Sequence, residues 1–281
     1  MWEIENQDVQ HFHRLQERRV VSSTIYDMSS EPGENYYATQ YLRSVERVTS
    51  DRSKLSRIVD FGCGQGRLTM PIARKFSSAE VVGVDISKGA IDTAVLKSAQ
   101  IGLTNVSYVN SAIDEYLNHQ MDSTIDLALF TEVGFFLPSW KDEMCKIFSK
   151  LVPGGILVAS FRSTYFTIML QLRERNFQSA LQILKSDEGR GRVTPYDDLI
   201  FTWINSTELT EFCMLHGMLV REMFGVGTAS GIQGDLFDDF AQPGKLLKDE
   251  LAVLDAIESE YAHLIPDVGR YITVVLQKPL N

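Results

Sequence analysis

Cysteine is scarce. Cys63, Cys145 and Cys213 lie far apart and are odd in number, which fits neither a disulfide framework nor a zinc site. The five histidines, His11, His13, His119, His216 and His263, never fall at metal-ligand spacing with carboxylates, so no metal is expected. Positive charge is also short: 27 Lys+Arg face 37 Asp+Glu, a net charge of −10. Such a surface repels a phosphate backbone, which argues against a broad nucleic-acid footprint. The cluster Arg14, Arg18 and Arg19 is interleaved with acids and reads as a solvated helix face. No run approaches the roughly 18 apolar residues of a membrane span, and no apolar leader core follows the acidic start MWEIENQDVQ. A cytoplasmic location is the expectation. What remains is ordinary globular material, 44% hydrophobic and 23% charged over 281 residues, enough for one large core with elaborations or two modest domains.

The chain changes character near residue 50. Residues 1–50 are polar with a helical pattern and form an expected N-terminal cap. Glu31-Pro-Gly33 marks a turn, and a helix follows over Tyr36–Val48 with Tyr37, Tyr41, Leu42, Val45 and Val48 on one face. Residues 51–281 form the main domain. There strands and helices alternate: strands at Arg57–Phe61, Val81–Val84, Val106–Val109, Ile125–Phe130 and Ile156–Phe161 are separated by helices ending near Phe76, Ile101, Asn118 and Leu151. In the second of these helices Ile91, Ala94, Val95 and Ala99 are expected inward. The alternation implies a doubly wound, mostly parallel α/β sheet. Two inserts interrupt it, at about 163–204 and 225–268. The first opens on an apolar-striped helix, Thr164–Lys185, and a turn-rich loop, Ser186–Pro195. Ser206–His216 reads as a helix with a capping arrangement at Ser206, and strands are expected at Met218–Phe224 and Arg270–Gln277.

The stretch Ile58–Arg74, IVDFGCGQGRLTMPIAR, carries the chemistry. An apolar run broken by Asp60 meets Gly62, Gly64 and Gly66, and Leu68, Ile72 and Ala73 then recur at helical spacing, giving strand, tight turn, helix. Such a turn brings backbone N–H groups close to a ligand. A phosphate loop needs Gly-Lys-Ser/Thr at its end, and Gly66-Arg67-Leu68 lacks both. A dinucleotide site prefers G-x-G-x-x-G, and here the third glycine comes one residue early. A nucleoside carrying an amino-acid tail is the third option. Asp85, which ends VVGVDIS, can accept from both hydroxyls of a ribose and repels a 2′-phosphate. It can equally cap the turn that follows it.

With these residues in view, VDFGCGQG followed by VVGVDIS resembles the class I S-adenosylmethionine-dependent methyltransferases, whose fold is Rossmann-like. SYVNSAID (107–114), IDLALFTEVGFF (125–136) and LVPGGILVAS (151–160) resemble later segments of that family. The resemblance covers residues 55–162 well, Ser206–Phe224 and Arg270–Gln277 loosely, and neither the cap nor the inserts. It implies a seven-stranded sheet with an antiparallel last strand and S-adenosylmethionine as cofactor. By residue, it implies that Asp60, Gly62, Cys63 and Gly64 line the methionine part, Asp60 through its amino group. Asp85 would hold the ribose, Ile86, Ala112 and Ile113 the adenine, and the Phe130 carbonyl would face the cofactor amine. Where the family often has an acid near the end of strand 3, this chain has Ala112, with Asp114 two residues on, so either Asp114 substitutes or the base is held by backbone contacts alone.

Acceptor candidates come from strand ends. Glu132 follows strand 4 as a base or orienting group, or simply as a charge at a helix N-terminus. Arg162 follows strand 5, where it can pair with a substrate carboxylate. Tyr26, Tyr37 and Tyr165 are candidate substrate walls from the cap and first insert, with packing as the alternative for each. His11 and His13 lie in the cap without an assigned role. Tyr165, Phe166, Phe177 and Trp203 in the first insert favour an enclosed small-molecule acceptor under a helical lid. The rival readings are a protein or tRNA methyltransferase, a non-catalytic cofactor-binding partner, and a dinucleotide oxidoreductase.

Overall fold

The computed structural model describes residues 32–52, 55–186, 189–191, 200–232 and 234–280. Tyr26, His11, His13 and most of the loop 186–195 therefore lie outside the described residues. Five parallel strands run β1 Arg57–Phe61, β2 Glu80–Asp85, β3 Val106–Asn110, β4 Ile125–Phe130 and β5 Leu151–Ser163. β6 Arg190–Gly191 and β7 Phe201–Ile204 belong to the first insert, and β8 Leu219–Val226 and β9 Tyr271–Gln277 close the sheet. The main order is β3-β2-β1-β4-β5, with β9 antiparallel to β5 and β8 antiparallel to β9. The winding reverses between β1 and β4. Ligands of open α/β sheets bind outside the carboxyl ends of strands at such a reversal.

Alternation along each strand fills two cores, one per face. Val59 and Phe61 point to the side of Tyr116, Leu117, Trp140, Met144 and Phe212, while Ile58 points to that of Tyr37, Tyr41, Val45 and Ile72. The helices that cover these faces are α1 Pro32–Thr49, α2 Thr69–Lys75, α3 Lys88–Gln100, α4 Ile113–Asn118, α5 Trp140–Lys150, α6 Thr164–Arg173, α7 Phe177–Leu184, α8 Ser206–Leu215 and α9 Lys248–Leu264.

Several expectations are corrected. The turn expected at Glu31–Gly33 is occupied at Pro32 and Gly33 by helix, with Pro32 in the first position, where a missing N–H costs nothing. In α3 the inward stripe is Ala90, Ile91, Ala94 and Ser98, while Val95 is half exposed and Ala99 exposed. The Ser98 hydroxyl meets that of Tyr108 at 2.8 Å, so a polar residue takes the inward place. The helix expected over Thr164–Lys185 breaks in two at Arg175, whose φ is +59°; the segment Arg-Glu-Arg-Asn there offers no apolar residue to continue the stripe. α8 is capped by Asn205, whose side chain accepts from the Glu208 N–H at 2.8 Å, rather than by Ser206. The Pro153-Gly154-Gly155 turn is an irregularity at the entrance of β5, between the pairs Ile125–Leu151 and Leu127–Ile156.

One extra pairing positions the site. β4 ends its pairing with β5 at Phe130–Ala159. Beyond that point β7 runs parallel to β5, with Arg162 opposite Trp203 and Ser163 opposite Ile204.

Candidate active site

The glycine turn sits over the β1–β4 reversal. Gly62, Gly64 and Gly66 have φ of +75°, +53° and +83°, a region that side chains other than glycine seldom adopt. Gly62 is also needed for space, since a Cβ there would lie 2.7 Å from Val133. At Gly64 a Cβ would meet nothing within 4 Å. This bare backbone lines a cavity of about 780 Å³, in the range of cofactor and substrate sites.

Asp60, Cys63, Asp85, Ile86, Ala112 and Ile113 line the same cavity with Gly62 and Gly64. Asp60 is buried, and its Oδ2 accepts from the Thr69 hydroxyl at 2.6 Å. Burial pushes its carboxyl up to about 6, and the Thr69 hydrogen bond partly offsets this. Burial holds the Cys63 thiol well above its ordinary value, which makes it a neutral wall and not a nucleophile. Asp85 accepts from the Gly64 N–H through Oδ2 and from the Ser87 N–H through Oδ1, each at 2.8 Å. It thus caps the following turn and also faces the cavity. Each carboxylate oxygen has two lone pairs, so the two roles are compatible. The Asn110 amide donates to the carbonyls of Asp85 and Ile86 at 3.1 and 2.8 Å, tying the ends of β2 and β3 together. Phe130, whose carbonyl was expected to face the cofactor amine, is not among the lining residues. Its ring packs edge-on against Phe161 in the core, and the next residue, Thr131, reaches the cavity instead.

Ion pairs and aromatic rings complete the cavity wall. Glu132 has a φ of +57°, and its N–H donates to the Ser160 hydroxyl at 2.8 Å. Its carboxylate meets Arg67 at 2.8 Å, and Arg67 meets Glu34 of α1 at 2.8 Å. Arg270 meets Asp235 at 2.7 Å and Glu34 at 3.9 Å. Burial pushes the Glu132 carboxyl up against the opposing pull of Arg67. For Arg67, burial works against the charge, and the carboxylates of Glu132 and Glu34 more than offset it. Arg162 is buried and lies over the rings of Phe166 and Phe201, at 5.6 and 5.9 Å from their centroids. Phe135 stacks on Tyr271 at 5.4 Å and touches Phe136 at 4.3 Å; both phenylalanines line the cavity with Phe201 and Tyr271.

Two expected substrate walls are corrected. Tyr37 is fully buried; its hydroxyl donates to the Ser230 carbonyl at 3.2 Å and to Asp235 at 3.4 Å. It fastens α1 to the second insert and does not line the cavity. Tyr165, in the first turn of α6, is 46% exposed and lies outside the lining. Of the other first-insert aromatics expected there, Phe166 and Trp203 are buried and Phe177 is exposed; none of these three lines the cavity, whereas Phe201 of the same insert does. Sequence reasoning missed Glu34, Arg67, Arg270, Tyr271, Phe135, Phe136, Phe201 and Glu143 as lining residues. Arg67, the charged residue directly after Gly66, and Phe135 and Phe136, just after strand 4, carried a local signal. Among the described residues, no group of three or more His, Cys, Asp or Glu could hold a metal ion, and no helix is long and apolar enough to cross a membrane.

Residues 58–155 match the family model of a methyltransferase domain. The tRNA 5-carboxymethoxyuridine methyltransferase of Escherichia coli O157:H7 is 22% identical over 229 residues, 79% of this chain and 80% of its own. The trans-aconitate 2-methyltransferase of Variovorax paradoxus is 32% identical over 102 residues, 36% of this chain and 37% of its own. Among solved structures, the N-methyltransferase NodS from Bradyrhizobium japonicum WM9, in complex with S-adenosyl-L-homocysteine, shares the fold with a TM-score of 0.57. The two are 14% identical, with 95% of this chain and 98% of that one covered.

Proposed function

We propose, for a chain that belongs to the class I S-adenosylmethionine-dependent methyltransferases, that the methyl acceptor is a small molecule held in the aromatic chamber. The observation that carries this reading is the enclosure. α1 contributes Glu34, the first insert Phe201, the second insert Ile232, and the chain before β9 Arg270, so segments added to the core share in walling the cavity. Enclosure excludes water and orients a small acceptor; a protein or RNA chain is better served by an open rim. The cavity lining also carries more carboxylates than guanidiniums, a poor match for a polyanion.

The residues fit the cofactor. The bare backbone at Gly64 leaves room for close approach, Asp60 would take the ammonium of the methionine part, and Asp85 the ribose hydroxyls. Ile86, Ala112 and Ile113 would enclose the base. S-adenosylmethionine brings a methyl group on a positively charged sulfonium, already activated for in-line displacement, so alignment is the protein's main task. Phe135, Phe136, Phe201 and Tyr271 would clamp the acceptor, and Arg162 would pair with an anionic group on it. Glu132 is engaged with Arg67 and acts in this reading as an organiser of the wall. A general base is needed only if the acceptor is protonated at the working pH.

Two experiments follow. Methyl-labelled S-adenosylmethionine, incubated with the full chain and separately with a small-metabolite extract, bulk tRNA and total protein, should label the low-mass fraction alone. Label entering tRNA or protein would replace this acceptor class, and no label anywhere beside tight cofactor binding would point to a non-catalytic partner. The second concerns Asp60, whose ionised form suits an ammonium. Its carboxyl is raised to about 6, so cofactor affinity should fall as pH drops through that value, by about tenfold per pH unit once the protonated form dominates. Calorimetric titration of Asp60→Asn should give weaker binding with a flat profile across that range.

A further inference from the structure

Three carboxyls of the cavity lining have no task in the reading above, and of these Asp114 and Glu115 are exposed and Glu143 is buried. Glu143 lies in the first turn of α5, is 8% exposed and lines the cavity. Its Oε2 is buried with no hydrogen-bond partner. The residues leading into α5 and those opening α4 line the same cavity, and Asp114 of α4 is close enough to raise the Glu143 carboxyl. Ala112 and Ile113, the residues assigned to the base, stand at the start of that same α4.

The polar groups nearby on the strand-3 side are already engaged. The Asn110 amide serves two carbonyls, and the Ser111 hydroxyl serves the Ala112 carbonyl and Glu115 at 3.0 and 2.9 Å. Burial raises the Glu143 carboxyl to about 7, Lys146 opposes the rise, and Asp114 and Asp142 add to it. A carboxyl in its neutral form presents one O–H donor beside one carbonyl acceptor. That pair complements a planar edge with an acceptor next to a donor, which adenine offers at N1 and its exocyclic amine.

We propose that Glu143 reads the adenine edge of the bound cofactor, donating to N1 and accepting from the exocyclic amine. The proposal rests on the S-adenosylmethionine reading above. It makes Glu143 a cofactor-specificity residue, without contact with the transferred methyl group.

The test compares S-adenosylhomocysteine with its 1-deaza analogue, whose C–H in place of N1 cannot accept a hydrogen bond while the exocyclic amine is kept. Calorimetry on the full chain should show the wild type preferring the adenosyl ligand by about threefold to tenfold, the scale of one neutral hydrogen bond. Glu143→Gln offers the same donor and acceptor and should keep the preference, whereas Glu143→Leu should lose it. The preference should also fade in the wild type as pH rises through about 7 and stay constant in Glu143→Gln. As a ratio of two ligands sharing the same ammonium, it cancels the titration of Asp60. Retention of the wild-type preference by Glu143→Leu would overturn the proposal, as would its absence from the wild type. A wild type that binds neither ligand would instead overturn the cofactor reading, and the proposal with it.

Discussion

Asp85→Ala should weaken S-adenosylmethionine binding by roughly 1.5–3 kcal/mol, about tenfold to a hundredfold, the range for losing hydrogen bonds to a charged group. The same substitution deletes the acceptor for the Gly64 and Ser87 N–H groups, and so loosens the glycine turn before any ligand arrives. The two losses separate by measurement. Calorimetry reports ligand affinity, and thermal unfolding of the ligand-free chain reports the turn. Asp85→Asn keeps one acceptor oxygen without the charge and should fall between wild type and alanine in both. If alanine lowers the unfolding temperature and leaves affinity unchanged, Asp85 is a turn cap alone.

The second large effect is on stability. Arg67→Met should destabilise the chain by about 3–5 kcal/mol, because it strands buried partners that had shared one guanidinium. The side chains of Arg67, Glu34 and Glu132 are only 12%, 11% and 13% exposed. Against a typical total stability of about 5–15 kcal/mol, the loss would shift a urea midpoint strongly. Adding Glu34→Gln and Glu132→Gln to Arg67→Met should recover much of it, since no charge is then left unpaired. The pH dependence has a definite sign. Burial already pushes the Glu132 carboxyl up, and without Arg67 that push is unopposed. A carboxyl raised in the folded state binds protons there more readily than in the unfolded chain, so folding gains stability as pH falls. The deficit of Arg67→Met should shrink on acidification. A triple variant as unstable as the single one would mean that Arg67 acts by its packing and not by its charge.

Both residues mark what could be read in advance. β1, α4 and β4 were legible to the residue because each is a short apolar or periodic run bounded by turn residues, and those rules act over a few positions. Asp60, Gly62, Gly64 and Asp85 were legible because a strand, a tight turn and a second strand constrain one another within thirty residues. The ion-pair wall was not. Glu34 lies 33 positions from Arg67, Asp235 lies 35 from Arg270, and no periodicity joins them. Tyr37 shows the same limit from the other side. Its helical face was evident, yet its distant partners Ser230 and Asp235 decide that it packs the insert and leaves the acceptor alone. Phe135 and Phe136 were visible as residues after strand 4, but only the return of the chain at Phe201 and Tyr271 turns them into a chamber.

The short run of β7 beside β5 bears on how acceptors are chosen. Because Trp203 and Ile204 pair with β5 where β4 has ended, Phe201, which pairs with Gly191 of β6, stands two residues from the main sheet. Under the proposed function, an acceptor would then be selected by its outline against Phe135, Phe136 and Phe201. A new acceptor would be admitted by trimming or enlarging Phe135, Phe136 or Phe201.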